Sequence, residues 1–316
     1  MFGRPFYPYL LACLLALLPG ACSEPGSLRI GSNRWPGYEP LYLARDRQAF
    51  QREEVHLVEL PSSSDVMQYL RNGNLDGGML TLDETLTLIT DGVPLRVVLV
   101  MDVSNGADTL LAQPEIQDLA GLKGRRIGVE LSALGALMLE SILEKTGLRS
   151  DQVTLVPLTI DQQEAAFRAR RVDAVITFDP TRSRLLAEGA VELFSSRKIP
   201  GRIVDVLAIR QDALTEHAAQ LRRLLAGYFE ARRFMAERPR LAASQMAPRL
   251  GMDEAGLRQA FQGLTLPDLT DNHRWLEGAQ PRLLDSAKRL ADLMLRHRLI
   301  DHPPSLEGLT DGRYLP

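Results

Sequence analysis

The sequence predicts an α/β fold of two lobes, each a mostly parallel sheet flanked by helices, with a helical segment after them. Three observations support this. Arg29-Ile30-Gly31 and Arg126-Ile127-Gly128 open two units of similar pattern, and the Gly of each lies 45 residues ahead of an Asp, Asp76 and Asp173. Midway, each unit carries a β-type run that meets a proline, Val55 to Pro61 and Val153 to Pro157. Within each unit strand-like and helix-like segments alternate, the pattern of a parallel sheet covered on both faces. Matching features in register are the signature of an internal duplication. Two such units make two lobes, and two lobes make a cleft.

Unit one starts with a strand over Leu28 to Ser32. Pro40 to Phe50 reads as a helix, with Pro40 suited to its first turn. Val55 to Leu60 alternates as a strand. Ser62-Ser63-Ser64-Asp65 offers N-caps for a helix through Leu70, which Asn72-Gly73 closes. Gly77 to Leu80 is a buried strand, Asp83 to Thr90 a helix, and Leu95 to Met101 a strongly apolar strand. Unit two repeats the scheme: strands over Arg126 to Val129, Val153 to Pro157, Ala174 to Phe178 and Val191 to Phe194. Its helices run from Ser132 to near Gly147, over Gln162 to Arg170, and over Pro180 to Glu188. Thr109 to Ala112 is expected to cross into lobe two, and Ile203 to Arg210 to cross back. Four helices are expected after that, over Leu221 to Arg238, Pro239 to Leu250, Asp253 to Gly263 and Gln280 to Leu299. Lobe one is therefore read as residues 28–110 and 206–300, lobe two as 111–205, and 301–316 as a weakly ordered tail.

The chain start points to export. Leu10 to Leu18 is an unbroken apolar run after Arg4, too short for a mature membrane span and fitting for a secretory signal over residues 1–22. Gly20-Ala21-Cys22-Ser23 resembles a bacterial lipobox, with Pro19 where Leu, Val or Ile is usual. Acylation of Cys22 would anchor the protein in the cell envelope; an ordinary cleaved signal is the alternative. The chain has 2 Cys, and Cys13 lies inside the apolar run, so no disulfide framework is expected. The formal net charge of −3 gives no reason to expect nucleic acid or an anionic membrane surface as partner.

Gly31-Ser32-Asn33-Arg34-Trp35-Pro36-Gly37-Tyr38-Glu39-Pro40-Leu41-Tyr42-Leu43-Ala44 resembles the opening of the periplasmic solute-binding proteins of the nitrate, sulfonate, taurine and thiamine-precursor group. Leu122-Lys123-Gly124-Arg125-Arg126-Ile127-Gly128-Val129 resembles the start of their second lobe, and Phe178-Asp179-Pro180 their aromatic-acid-proline turn. The resemblance covers Leu28 to Arg210. It implies a type II periplasmic binding fold, a monomer that closes on a small molecule, and an ABC permease with its ATPase as partner. A membrane sensor served by the same cleft is the alternative.

Ligands of open α/β sheets bind beyond the carboxyl ends of the strands. Those ends place Asn33, Trp35, Tyr38, Glu39, Thr81, Asp83, Asp102, Ser104, Asn105 and Asp108 in lobe one, and Glu130, Ser132, Leu134, Gly135, Phe178 and Asp179 in lobe two. Each has a plainer role open to it. Trp35 covers a core or meets ligand; Tyr38 packs on the next helix or meets ligand; Glu39, Asp83, Ser132 and Asp179 cap helices or meet ligand. Asp76 and Asp173 precede their strands and read as structural turn residues. Aromatic faces beside carboxylates, with Arg34 alone basic among them, suit an amine or nitrogen heterocycle better than a sulfonate or nitrate. No metal, cofactor or catalytic residue is expected. A pyrimidine synthase of related fold needs a reactive His and a Cys-rich iron motif, and His56, His217, His273, His297 and His302 lie away from the strand ends.

Overall fold

The computed structural model of the protein describes residues 26–316. The apolar run, Pro19 and Cys22 lie outside the described residues. The chain follows β1 (Leu28–Ser32), α1 (Glu39–Asp46), β2 (Val55–Glu59), α2 (Ser63–Arg71), β3 (Gly77–Thr81), α3 (Leu82–Thr90) and β4 (Leu95–Ser104). It then builds a second lobe from β5 (Thr109–Ala112), β6 (Arg126–Val129), α4 (Ala133–Thr146), β7 (Thr154–Pro157), α5 (Ile160–Arg168), β8 (Ala174–Thr177), α6 (Thr181–Ala187) and β9 (Val191–Ser195). It returns through β10 (Val204–Arg210), α7 (Gln211–Glu216), α8 (Ala218–Glu237), α9 (Pro239–Leu250), α10 (Glu254–Phe261), β11 (Leu264–Thr265), α11 (Leu269–Leu276) and α12 (Arg282–Arg296).

One sheet has the order β11-β4-β10-β3-β1-β2, the other β7-β6-β8-β5-β9. The duplication is visible in atoms. Asp76 accepts from the Arg29 backbone N–H at 2.8 Å and from its guanidinium at 2.7 and 3.0 Å. Asp173 does the same for Arg126 at 2.8, 3.0 and 3.0 Å. Both Asp residues thus pin the end of a neighbouring parallel strand, as turn residues should.

The two expected crossings are instead interior strands. β5 lies between β8 and β9, antiparallel to both; β10 lies between β3 and β4, antiparallel to both. Each is the first strand to enter a lobe from the other. Pairing it inside the sheet satisfies backbone groups that a bare crossing would bury without partners. The true interlobe connections are residues 105–108 and 196–203. Hydrogen bonds join them: Ser104 and Ser196 hydroxyls lie 2.7 Å apart, Gly106 N–H donates to Ser196 Oγ at 2.6 Å, and Ser196 N–H to the Asp108 carbonyl at 2.9 Å. Gly106 has φ +116°, a conformation that L side chains rarely adopt.

Local signals explain most boundaries. Ser132 accepts from Gly135 N–H at 3.1 Å to start α4, and Gly147 ends it at φ +68°. In α12, Leu283, Ala287, Leu290, Ala291 and Met294 form one buried stripe at helical spacing. The first helix stops at Asp46 rather than Phe50. α11 was not expected from the sequence; Asp268 caps it, and its Asn272 bonds the backbone of Val100 in both directions at 2.7 and 3.1 Å.

The end of the chain is part of lobe one, not a loose tail. Val97 N–H donates to the Leu309 carbonyl at 2.7 Å, and Asp311 N–H to the Val97 carbonyl at 2.9 Å. Leu309, Tyr314 and Leu315 are buried, and the Tyr314 hydroxyl donates to the Leu214 carbonyl. Pro303-Pro304, Gly308 and Gly312 read as loop punctuation, and no local pattern links the segment to Val97. Full burial of such side chains is worth about 1.5–3 kcal/mol each as an upper bound. At about 2–4 °C per kcal/mol, deleting residues 301–316 should lower the melting midpoint by roughly 10 °C. A midpoint within about 2 °C of the full chain would show that the segment contributes nothing.

Candidate functional site

The site grows from four residues, Trp35-Pro36-Gly37-Tyr38, after β1. Pro36–Tyr38 forms a short 3-10 turn that aims both flanking aromatics into lobe one. The Trp35 indole N–H donates to Asp102 Oδ2 at 2.9 Å, and the Tyr38 hydroxyl to Asp205 Oδ1 at 2.6 Å. Gly37 is required between them, because a Cβ there would lie 1.8 Å from Asp102 Oδ2. Asp102 on β4 and Asp205 on β10 are direct partners across the antiparallel ladder. Both are buried.

Beside this pair a cavity of about 20 Å³ sits between the lobes, roughly the space of one water molecule. Asn33, Trp35, Tyr38, Ser63, Thr81, Glu84, Asp108 and Asp205 line it from lobe one and the connection; Leu134 and Phe178 close it from lobe two. Phe178 meets Trp35 edge-on, with ring centroids 5.1 Å apart and planes at 90°. This is a favoured aromatic geometry, and here it bridges the lobes. The lining holds acids and no Lys, Arg or His.

Burial dominates the electrostatics. It pushes the Asp102 carboxyl up to about 7 against the opposing effect of the Trp35 hydrogen bond. It holds Asp205 well above the usual carboxylate range, with the Asp102 charge adding to the effect. Asp108 is raised to about 6, also mainly by burial. Glu84 is raised for the same reason although Thr81 N–H donates to its Oε2 at 3.0 Å. Asp83, fully buried in the first turn of α3, is pushed up to about 8 by burial and then by Glu84. In each case loss of hydration disfavours the charged form.

Of the residues expected from the sequence, Asn33, Trp35, Tyr38, Thr81, Asp108, Leu134 and Phe178 meet around the cavity. The others sit elsewhere. Glu39 is 1% exposed and accepts from Arg249 Nε at 2.7 Å, while Arg249 stacks 3.5 Å from the Tyr42 ring centroid. Asp83 lies behind the lining. Ser104 and Asn105 belong to the bonded connections; the Asn105 carbonyl accepts from Arg197 Nε at 3.1 Å. Glu130 reaches across the cleft to Ser64 N–H at 3.4 Å; burial pushes its carboxyl up to about 7. Ser132 caps α4, and Gly135 admits the Glu130 carbonyl, which a Cβ would meet at 2.1 Å. Asp179 caps α6 by accepting from Ser183 N–H at 3.0 Å. Asp205, Glu84 and Ser63 complete the site without having been named for it, and Asp102, expected only as a position after the Leu95 strand, stands beside Asp205. An Asp inside the apolar runs Leu99-Val100-Met101-Asp102-Val103 and Val204-Asp205-Val206-Leu207 was the available signal.

Two lobes joined by two short bonded connections, with a buried polar cavity between them, define the type II periplasmic binding fold. The chain belongs to the NMT1-like family, whose model matches residues 21–250. A protein of Brucella abortus named for a binding role is 26% identical over 169 residues, which is 51% of this chain and 52% of that protein. The chain thus matches about half the length of such curated relatives. The 4-amino-5-hydroxymethyl-2-methylpyrimidine phosphate synthase of Schizosaccharomyces pombe is 30% identical over 125 residues, 38% of this chain and 36% of the enzyme. Among solved structures, the alkanesulfonate-binding protein of Xanthomonas axonopodis pv. citri bound to MOPS has a TM-score of 0.74 at 22% identity, covering 88% of this chain and 95% of that one. The ligand-binding component of an ABC-type import system from Staphylococcus aureus, with zinc bound, has a TM-score of 0.76 at 15% identity, covering 92% and 97%.

The raised carboxyls make stability depend on pH with a definite sign. Between the ordinary carboxylate value and about 8, the folded protein binds more protons than the unfolded chain. Stability therefore falls as pH rises through that window. The ligand-free protein should melt several degrees lower at pH 8 than at pH 5.5. Asp102→Asn, which keeps the shape and removes the charge, should melt higher than wild type at pH 8. Melting curves that rise from pH 5.5 to pH 8 would contradict the burial of these acids.

Proposed function

We propose that this protein is an extracytoplasmic solute-binding component of an ABC importer that captures a small organic cation, an amine or protonated nitrogen heterocycle, between its lobes. The observation that carries the ligand reading is the lining itself. Glu84, Asp108 and Asp205 face the cavity, Asp102 stands beside Asp205, and no cationic side chain lines the space. A sulfonate or nitrate there would meet carboxylates without an Arg or Lys to receive it. A cation would let the acids ionise and would gain hydrogen bonds to charged acceptors, while Trp35, Tyr38 and Phe178 offer ring faces and edges.

The importer role draws support from the fold and from the named role of the Staphylococcus aureus neighbour. Export and anchoring rest on the apolar run and Cys22. No helix of the described residues is long and apolar enough to cross a membrane.

Two tests follow. A charge-assisted hydrogen bond contributes about 1.5–3 kcal/mol, so Asp205→Asn should weaken a bound cation about tenfold to hundredfold. Calorimetry on ligands found by thermal-shift screening of amines, heterocycles and sulfonates measures this; unchanged affinity would remove the ligand from this cavity. Separately, wild-type protein should fractionate with membranes and Cys22→Ala should not. A mature N-terminus bearing no lipid in mass spectrometry would refute the anchor.

A further inference from the structure

We infer that the ligand of this cleft is elongated, a primary ammonium head on an apolar body, with the head in the inner cavity and the body in a larger outer cavity between the lobes. The inference rests on the cation reading above and adds the size, shape and polarity of the ligand. The inner cavity of about 20 Å³ holds one water molecule. An ammonium group is of similar size, whereas a ring nitrogen brings its ring with it. The head alone therefore fits there, and the carbon skeleton must lie elsewhere. Glu84 Oε1 and Asp108 Oδ2, of residues that line this space, receive no hydrogen bond among the described residues. They are acceptors for the three donors of an ammonium.

The outer cavity, about 370 Å³, is also built from both lobes. Its apolar wall is Leu60 and Pro61 from lobe one with Ile160 and Pro180 from lobe two. Its two bases already hold acids: Arg34 Nε donates to Glu59 at 2.7 Å, and Arg184 Nε to Glu164 at 2.7 Å. Glu59 and Asp161 line the same space, so the wall carries as many acids as bases. An uncharged, apolar body suits such a wall better than a second ionic group, because it gains from leaving water and asks no paired side chain to give up its partner.

The two spaces share their walls. In the loop after β1, Asn33 and Trp35 line the inner cavity and Arg34 the outer one; after β8, Phe178 lines the inner and Pro180 and Thr181 the outer. The edge-on Trp35–Phe178 contact joins these same two loops. A chain leading from head to body passes these rings, and seating it requires Phe178 to move off Trp35. The outer cavity also lies on the side of the cleft away from the connections. β2 and β7 are edge strands of their sheets, and Leu60, Pro61 and Ile160 follow their ends.

Titration calorimetry with ethylamine, butylamine, hexylamine and ethanesulfonate at pH 7 tests this. Each methylene that enters the outer cavity should tighten binding about two- to fourfold, so hexylamine should bind at least about tenfold tighter than ethylamine. Leu60→Asn, which places an amide in the apolar wall, should weaken hexylamine about fivefold and leave ethylamine within about twofold. Leu60 is half-buried, so Pro61→Asn, at an exposed position, is measured beside it with the same direction expected. Variants that change both amines equally, or neither, would overturn the placement of the body. Equal affinity of ethylamine and hexylamine in wild type would overturn the inference and leave the cation reading standing. Absence of binding by any of the three amines, with or without ethanesulfonate bound, would overturn both.

Discussion

The rest of the site depends on a burial problem. Asp102 and Asp205 stand opposite each other on adjacent strands, inside the lobe-one sheet, with no cation between them. Placing two acids in such a position is costly unless their oxygens are held and a charge partner arrives. The chain meets the first requirement with Trp35 and Tyr38, and the second only in part, through the charge of Arg232 acting on Asp102. Gly37 exists in this arrangement because any side chain would collide with Asp102. The aromatic loop that reads as a ligand contact therefore also holds the acids in place. Its indole N–H is spent on Asp102, and its ring edge is free for Phe178 and for a ligand.

The duplication and the connections place that problem at the interface between the lobes. Each lobe repeats one strand-helix scheme, stapled by the Arg29–Asp76 and Arg126–Asp173 pairs. Each lobe also borrows its antiparallel inner strand from a chain segment arriving from the other. Ser104, Gly106 and Ser196 bind the two connections together, so the lobes can be displaced only as bodies about one narrow region. Asp108 lies at the end of that region and lines the cavity. Asp108 thereby joins the buried acids to the interlobe connections.

Periodicity and punctuation made most of the fold legible. The repeat, the strand positions, and the capped helices at Ser62 and Ser132 follow from local pattern alone. The inner strands β5 and β10 read as crossings rather than as sheet members, because antiparallel insertion is decided by partners more than 60 residues away. The site was half legible. Strand ends pointed to Trp35, Tyr38, Asp108 and Phe178. Asp102 read as the position just after the Leu95 strand, which in fact runs on to Ser104; Asp205 sits within an apolar strand, where strand-end reasoning does not look, although a lone Asp in such a run is itself a signal. Glu39 is taken by Arg249, at a sequence position that no local pattern links to it. Asp179 gives one oxygen to Ser183 N–H, the capping role its place before α6 allows, and its Oδ2 receives no hydrogen bond among the described residues.

The central claim is that this cleft keeps a set of buried carboxyls short of positive charge. Carbon-13 NMR of the aspartate carboxyls in ligand-free protein, with Asp102→Asn and Asp205→Asn spectra for assignment, tests it most directly. Asp102 should titrate near neutral pH, about 7, and Asp205 well above the usual carboxylate range. Titration of both near pH 4, as for exposed aspartates, would mean that water or an internal cation already serves them, and the account would fail.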